Sequence, residues 1–278
     1  MRVVEISKHG GPDCLKVVER PDPGVKSGQV RVEVEAAGVN FADVMARLGF
    51  YPDAPKTPCV VGYEVSGQIV EVGNGVDASR VGEKVMAGTR FGGYAEQVVV
   101  DSDNAIPVPD GIGTVAAAAI PVNYSTAWAA LVRYGSLQPG ERLLIHAAAG
   151  GVGIAATQIA KDSGAEVWGT ASPSKHEAIK ANGVQHPIDY TVKGWEKGLP
   201  DFDLVIDAVG GSSFKRSYEL LRAGGRLVCF GASSVVSGEG RNLVQAGKTI
   251  LTMPKFNLSI STTKKSILTK NLLNAIEK

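Results

Sequence analysis

The sequence predicts an α/β fold in two parts, a mostly antiparallel β domain followed by a doubly wound parallel sheet. Three observations carry this. Up to residue 100, short runs of branched residues alternate with Gly- and Pro-rich turns. Beyond residue 140, apolar strand-like runs alternate with helical runs, which forces parallel strands with helices on both faces. A glycine-rich turn, HAAAGGVG at residues 146–153, joins the first of those strands to the first of those helices.

The elements follow in order. RVVEI (2–6), LKVVE (15–19), VRVEVEAAGV (30–39), GQIVEVG (67–73), EKVMA (83–87) and AEQVVV (95–100) read as strands. PDPGVKSG (21–28), GNG (73–75) and GTRFGG (88–93) supply the turn chemistry between them. Residues 114–137 are helical in character, interrupted by Pro121. Strand RLLIH (142–146) then precedes helix GVGIAATQIAKDSG, and strand AEVWGT (165–170) precedes helix SKHEAIKANG. Strand DLVIDAV (203–209) precedes helix SSFKRSYELLRAGG, and RLVCFG (226–231) closes the series, with TILTM (249–253) a candidate further strand. In residues 264–278, Ile267, Leu268, Leu272, Leu273 and Ile276 share one helical face. That face suits a core-packing helix, with a membrane or partner helix as the alternative.

Composition bounds the function. The chain has 278 residues, 44% hydrophobic and 21% charged, as a globular protein does. Its formal net charge of +1 lacks the basic footprint of a dedicated nucleic-acid binder. Cys14, Cys59 and Cys229 form no CxxC pair, so neither a disulfide framework nor a zinc lobe is indicated, and reduced thiols in a cytoplasmic protein are expected. The N-terminal residues MRVVEISKHGGPD contain no signal-type apolar stretch, and Gly or Pro breaks the longer apolar runs.

In a G-x-G-x-x-G turn the first glycine allows a tight bend, the second a close approach to pyrophosphate, and the third close helix–strand packing. Here Ala148 stands first, and Gly150 and Gly153 second and third, with Gly151 adding freedom. Ala148 serves if its position needs no positive φ. The amides of Gly151, Val152 and Gly153 would then face phosphates at a helix N-terminus. Alone such a turn is a weak signal; between a strand and a helix at the head of a βα series it points to a Rossmann-type dinucleotide site. The next strand ends in GTASPSKHE (169–177), with Ser172 and Lys175 and no acid before Glu177. A hydroxyl plus an ammonium suits a 2′-phosphate, so NADPH is expected over NADH. Alternatively, Ser172 caps the next helix and Lys175 is solvated.

GVNFADVMARLGFYP (38–52), VVGYEVSGQIVEVG (60–73), AAAAIPVNYSTAW (116–128), QPGERLLIHAAAGGVG (138–153) and FDLVIDAVGG (202–211) together resemble the medium-chain dehydrogenase/reductases, in their zinc-free quinone oxidoreductase group. ASPSKHEAIKANGVQHPIDY (171–190) is most similar to the vesicle amine transport homologues of that group. The resemblance implies a GroES-like domain over residues 1–122, to which 257–278 return, a Rossmann domain over 123–256, and an active cleft between them. Gly62-Tyr63-Glu64 replaces the family's metal-binding G-H-E, and Asn40-Phe41-Ala42-Asp43 lacks the upstream Cys ligand, so no metal is expected. Cys59 near Glu64 could be read as a metal pair, but a buried structural thiol is the better reading.

The resemblance further implies hydride transfer from NADPH to a quinone or conjugated enone, with hydrogen bonds meeting the charge on the acceptor oxygen. It places Asn40 and Tyr51 beside the nicotinamide, with Asp43 shaping the loop; Asn40 could instead hold a turn and Tyr51 pack as a rim aromatic. It places Thr126 near the nicotinamide end, Tyr190 near the adenosine phosphate, and Gly231 and Ser233 under the nicotinamide ribose. The alternatives are helix packing, a core aromatic and a turn. His146 reads as a satisfied interior histidine; His9, His176 and His186 have no metal or triad spacing. A homodimer through the TILTM edge is expected. Chains of the family run further than Lys278; if the closing strands are absent, the β domain keeps an exposed edge. A second reading, by the same resemblance, is an NADP-binding, weakly catalytic protein associated peripherally with membranes or with protein partners.

Overall fold

The alternation of branched and polar residues in the first hundred positions becomes two antiparallel sheets. The computed structural model describes residues 1–231, 233–235 and 265–268. Strands β1 (Arg2–Ile6), β2 (Leu15–Glu19) and β3 (Gln29–Ala37) are followed by helix α1 (Phe41–Leu48), then β4 (Cys59–Val60) and β5 (Glu64–Val72). Strands β6 (Lys84–Gly88), β7 (Gln97–Asp101) and β8 (Ala105–Pro107) complete this part. One sheet has the order β2-β1-β4 and the other β7-β3-β5-β6-β8. Period-two patterning decides the inner face of the larger sheet. Val30, Val32, Val65, Ile69, Val85, Ala87, Val98 and Val100 form its buried cluster.

Helices α2 (Thr114–Ala117) and α3 (Pro121–Trp128) come next, the latter continued by a π-helical turn at Ala129–Tyr134. Pro121 opens α3, where a missing N–H costs no hydrogen bond. The residues Thr114–Tyr134 together make a 21-residue helical run with hydropathy of 1.4, long and apolar enough by those criteria alone to cross a membrane. Within that run α2 ends at Ala117 and α3 begins at Pro121, so the helix is interrupted at the proline, as the sequence pattern predicts.

Strands β9 (Arg142–Ile145), β10 (Glu166–Ala171), β11 (His186–Asp189), β12 (Phe202–Asp207) and β13 (Leu221–Cys229) alternate with helices α4 (Gly151–Asp162), α5 (His176–Asn182) and α6 (Ser212–Glu219). With β14 (Lys265–Leu268) they form a parallel sheet of order β11-β10-β9-β12-β13-β14. Both faces are covered: Leu143, Ile145, Leu204 and Ile206 enter one buried cluster, while Leu144 and Val205 enter another. Two compact units result, dividing between Val122 and Asn123.

Several expectations need correction. The sequence pattern extends a helix through residues 221–225, yet β13 begins at Leu221, pairing with Phe202 before the register shifts to Leu204↔Arg226. Helix α1, the short strands β4 and β8, and strand β11 go beyond the elements that the pattern predicts. The resemblance returns residues 257–278 to the β domain, and the apolar period predicts a helix over 264–278. Lys265–Leu268 instead adds to the parallel sheet, with Gly225↔Lys265 and Val228↔Leu268 in register. An open edge of β13 offers unpaired N–H and C=O groups, and a short extended segment satisfies them. The TILTM segment, and Leu272, Leu273 and Ile276, lie outside the described residues, as does the dimer contact expected there.

Candidate functional site

The glycine-rich turn is the first element of the site. Gly150 is the N-cap of α4 and accepts from Ile154 N, which starts the helix at Gly151 and leaves the amides of Gly151, Val152 and Gly153 at its open end. A Cβ on Gly153 would lie 2.4 Å from Ala147 O and 2.7 Å from Ala148 Cα, so only glycine lets helix and strand approach this closely. A Cβ on Gly151 would meet Asn123 Oδ1 at 2.4 Å. Ala148 is fully buried, and the left-handed residue is its neighbour Ala147, at φ 55°. The missing first glycine therefore costs the turn nothing at position 148.

Apart from Thr126, the other residues expected on the dinucleotide follow the carboxyl ends of strands in the same parallel sheet. Ser172 and Lys175 flank a 3-10 turn after β10. The Ser172 hydroxyl caps no helix amide and lies 3.4 Å from Ser174 Oγ. Lys175 is exposed and has no ion pair among the described residues. The register Ala171↔Asp189 puts Tyr190, which is 52% exposed, level with Ser172. Gly231 packs against the loop after β12, where a Cβ would meet Ala208 O at 2.5 Å. Ser233 N donates to Ala208 O (3.1 Å) and Ser234 N to Val209 O (2.9 Å). Thr126 is half-buried on α3. It lies three residues from Asn123 and so shares the face that reaches Gly151. An open helix end, a glycine-lined cradle and an unpaired cation fit a phosphorylated dinucleotide.

Sequence reasoning missed what braces this crevice. Asp207, Ser217, Thr170 and His146 are buried together behind it. Asp207 Oδ1 accepts from Val209 N (2.7 Å) and Gly210 N (3.3 Å), fixing the loop that carries Ala208. Read from the sequence, His146 is only a satisfied interior histidine, and its partners Thr170 and Ser217 lie 24 and 71 residues away.

The second cluster lies in the N-terminal unit. Asn40 caps α1; its N–H donates to Asp43 Oδ2 (2.9 Å) and its side-chain Nδ2 to Glu64 Oε1 (2.8 Å). Glu64 Oε2 accepts from Val122 N (2.8 Å). Asp43 Oδ1 accepts from Gly62 N (3.0 Å). Asp43 and Glu64 are both buried, and burial raises both carboxyl pKa values against the pull of their hydrogen bonds. Asp43 thus shapes the loop from inside. Tyr51 packs edge-on to Tyr63 (6.0 Å), which in turn packs on Phe91 (5.1 Å). Burial raises the pKa of Tyr51, and that of Tyr63 much further, so both stay phenols. No bond ties Tyr51 to Asn40 among the described residues. Cys59 is buried, and no group of three or more His, Cys, Asp or Glu is placed to hold a metal among the described residues. His176 bonds Ala171 O, and His186 bonds Glu166 and stacks on Trp168.

Comparison with known proteins agrees with this fold. Residues 26–110 match the alcohol dehydrogenase GroES-like domain and residues 151–271 the family described as zinc-binding dehydrogenase. The chain is 43% identical over 258 residues to the synaptic vesicle membrane protein VAT-1 homolog of Danio rerio, covering 89% of this chain and 53% of that protein. The chain thus spans about half the length of that relative. Among solved structures, CurK enoyl reductase superposes with a TM-score of 0.84 at 28% identity, covering 99% of this chain and 82% of that one. The quinone oxidoreductase of Thermus thermophilus, solved alone and with NADPH, superposes with a TM-score of 0.79 at 32% identity, covering 100% of this chain and 83% of that one.

Proposed function

This chain belongs to the medium-chain dehydrogenase/reductase superfamily, in its quinone oxidoreductase group, and on that premise we propose that it reduces a quinone or conjugated enone using NADPH. The observation that carries the proposal is the turn at residues 147–153, whose buried Ala148 and glycine-only contacts present the open amide end of α4. Bound there, NADPH supplies the hydride.

The chain's own residues have separable roles in this reading. Amides of Gly151, Val152 and Gly153, approached past Gly150, hold the pyrophosphate. Ser172 and Lys175 hold the 2′-phosphate with Tyr190 alongside. Thr126, Gly231 and Ser233 line the remainder. Asn40 uses one side-chain N–H on Glu64. Its second N–H serves as a donor to the acceptor's carbonyl oxygen as negative charge grows there. Tyr51, held as a phenol, is a second donor. Asp43 positions Asn40 and does not touch substrate. Protonation of the product comes from water.

The test is a cofactor titration followed by turnover. NADPH is expected to bind at least tenfold more tightly than NADH, and its absorbance to fall with a panel of quinones and enones. Bound NADPH with no oxidation by any acceptor would remove the reductase reading. The 43% identity to a synaptic vesicle membrane protein homologue supports a second reading, a weakly catalytic NADP-binding protein at a membrane surface. Co-sedimentation with anionic liposomes, without turnover, would favour it. Simple partition into the soluble fraction, as for a cytoplasmic homodimer, would oppose it.

A further inference from the structure

His146 sits at the junction of three strand ends and is used by none of the roles above. It follows β9 directly, is 4% exposed, and its ring meets Trp195 edge-on at 5.7 Å. Nδ1 lies 3.4 Å from Thr170 Oγ1 and Nε2 lies 3.0 Å from Ser217 Oγ. Ser217 Oγ donates to Asp207 Oδ2 at 2.6 Å. Thr170 Oγ1 accepts from Ala147 N at 3.2 Å.

These contacts fix the direction of every proton. The Ser217 hydrogen is committed to Asp207, so Ser217 Oγ can only accept from the ring, and His146 Nε2 must be the donor. Thr170 Oγ1 already accepts from Ala147, so its own hydrogen is free for His146 Nδ1. Val209 N and Gly210 N occupy Asp207 Oδ1, which leaves Oδ2 to accept the Ser217 hydrogen. Burial lowers the imidazole pKa, Asp207 opposes this, and Arg216 adds to it. Ser217 and Asp207 are themselves fully buried, so the Ser, His and Asp here cannot meet a substrate as a hydrolytic triad would.

We infer that His146 is a positioning residue, a neutral Nε2-protonated link that ties the left-handed Ala147 turn, through Thr170, to the Asp207-anchored loop, through Ser217. One end of the chain holds the phosphate turn. The other holds the Ala208–Gly210 segment on which Gly231 and Ser233 rest. The two halves of the dinucleotide crevice are therefore set by one hydrogen-bond chain. The consequence for NADPH binding rests on the function proposed above.

Two measurements test it. In ¹⁵N-labelled protein, the His146 ring is expected to show the Nε2-protonated tautomer, unchanged from about pH 6 to about pH 8. His146→Gln or, if that variant fails to fold, Ser217→Ala identifies the signal. An Nδ1-protonated or titrating His146 would overturn the assignment. The second is a double-mutant cycle on the NADPH Kd with Thr170→Val and Ser217→Ala. Each is expected to weaken binding about fivefold, and the double variant no more than the worse single one. Fully additive losses, or an unchanged Kd with only a lower Tm, would sink the positioning role. If the wild-type chain does not bind NADPH, the proposed function fails by itself, while the tautomer and the same cycle read on Tm still decide the chain's existence.

Discussion

Ala147 and Ala148 look alike in sequence and carry opposite conformational demands. Ala147 adopts φ 55°, where a Cβ is disfavoured, while Ala148 is fully buried, and a Cβ on Gly169 would meet its methyl at 2.8 Å. Ala147→Gly should therefore leave stability within about 0.5 kcal/mol of wild type, relief of the left-handed strain offsetting the added chain entropy. Ala148→Gly should cost about 1 kcal/mol by denaturant melting. Equal losses at both would show that the turn is not strained where the backbone places it. The residue scale also governs the acidic pair. Asp43→Asn turns one acceptor into an NH₂ facing Gly62 N–H or Asn40 N–H, and a loss of about 1–3 kcal/mol is expected. Its companion Glu64 has a raised carboxyl pKa through burial, with Asp43 adding to it. The folded state then resists ionising Glu64, so its contribution is fully present below the ordinary carboxylate range and lost as pH rises through the raised value. Of these features the missing glycine and the place of Asp43 in its loop were visible in the sequence; which alanine takes positive φ was not, and the Ala147 amide bonds Thr170, 23 residues on.

At the scale of elements, β9, β12 and β13 are held at their amino ends by charge as well as by apolar burial. Arg226 donates to both carboxylate oxygens of Glu141 (2.7 and 2.6 Å) and to Gly135 O (2.6 Å). Burial alone would raise the Glu141 pKa, but Arg226 and the Gln138 amide outweigh it and lower the value. Asp203, next to Arg222 and the Arg142 amide, is lowered in the same way. A lowered carboxyl stabilises above its unfolded pKa and loses that contribution as pH falls through its folded value. Glu141→Gln is expected to cost about 1–3 kcal/mol at pH 7 and to flatten the loss of stability in the acid range. A variant that melts in parallel with wild type at every pH would show that the pair contributes little. Elements with clean period-two or βα patterning were legible: RVVEI and LKVVE match β1 and β2 residue for residue. The failures share a cause. In LLRAGGRLVC the local preference is helical for the first four residues, yet the edge of β12 recruits them as a strand. The two-residue β4 has no periodicity to read and exists because Ile6 and Glu5 lie opposite it.

Across the whole chain, cofactor binding should report on the C-terminal of the two units. Saturating NADPH, at about 100 times its Kd, should stabilise the fold by about 2.7 kcal/mol and raise Tm by about 5 °C or more. Lys175→Ala, with Ser172→Ala, should weaken NADPH about tenfold or more and leave NADH nearly unchanged, since only the 2′-phosphate contact is lost. Equal losses for both cofactors would place the 2′-phosphate elsewhere. The two-part α/β architecture and the glycine-rich turn between strand and helix are both legible in the residues alone. Those signals are local: hydrophobic period and glycine at a bend. Three-dimensional packing was needed to show that Lys265–Leu268 joins the parallel sheet, that Glu64 holds Asn40, and that His146 stands between Thr170 and Ser217. Each of these depends on groups 24 or more residues apart meeting in space, where an unmade hydrogen bond is costly and so selects one arrangement.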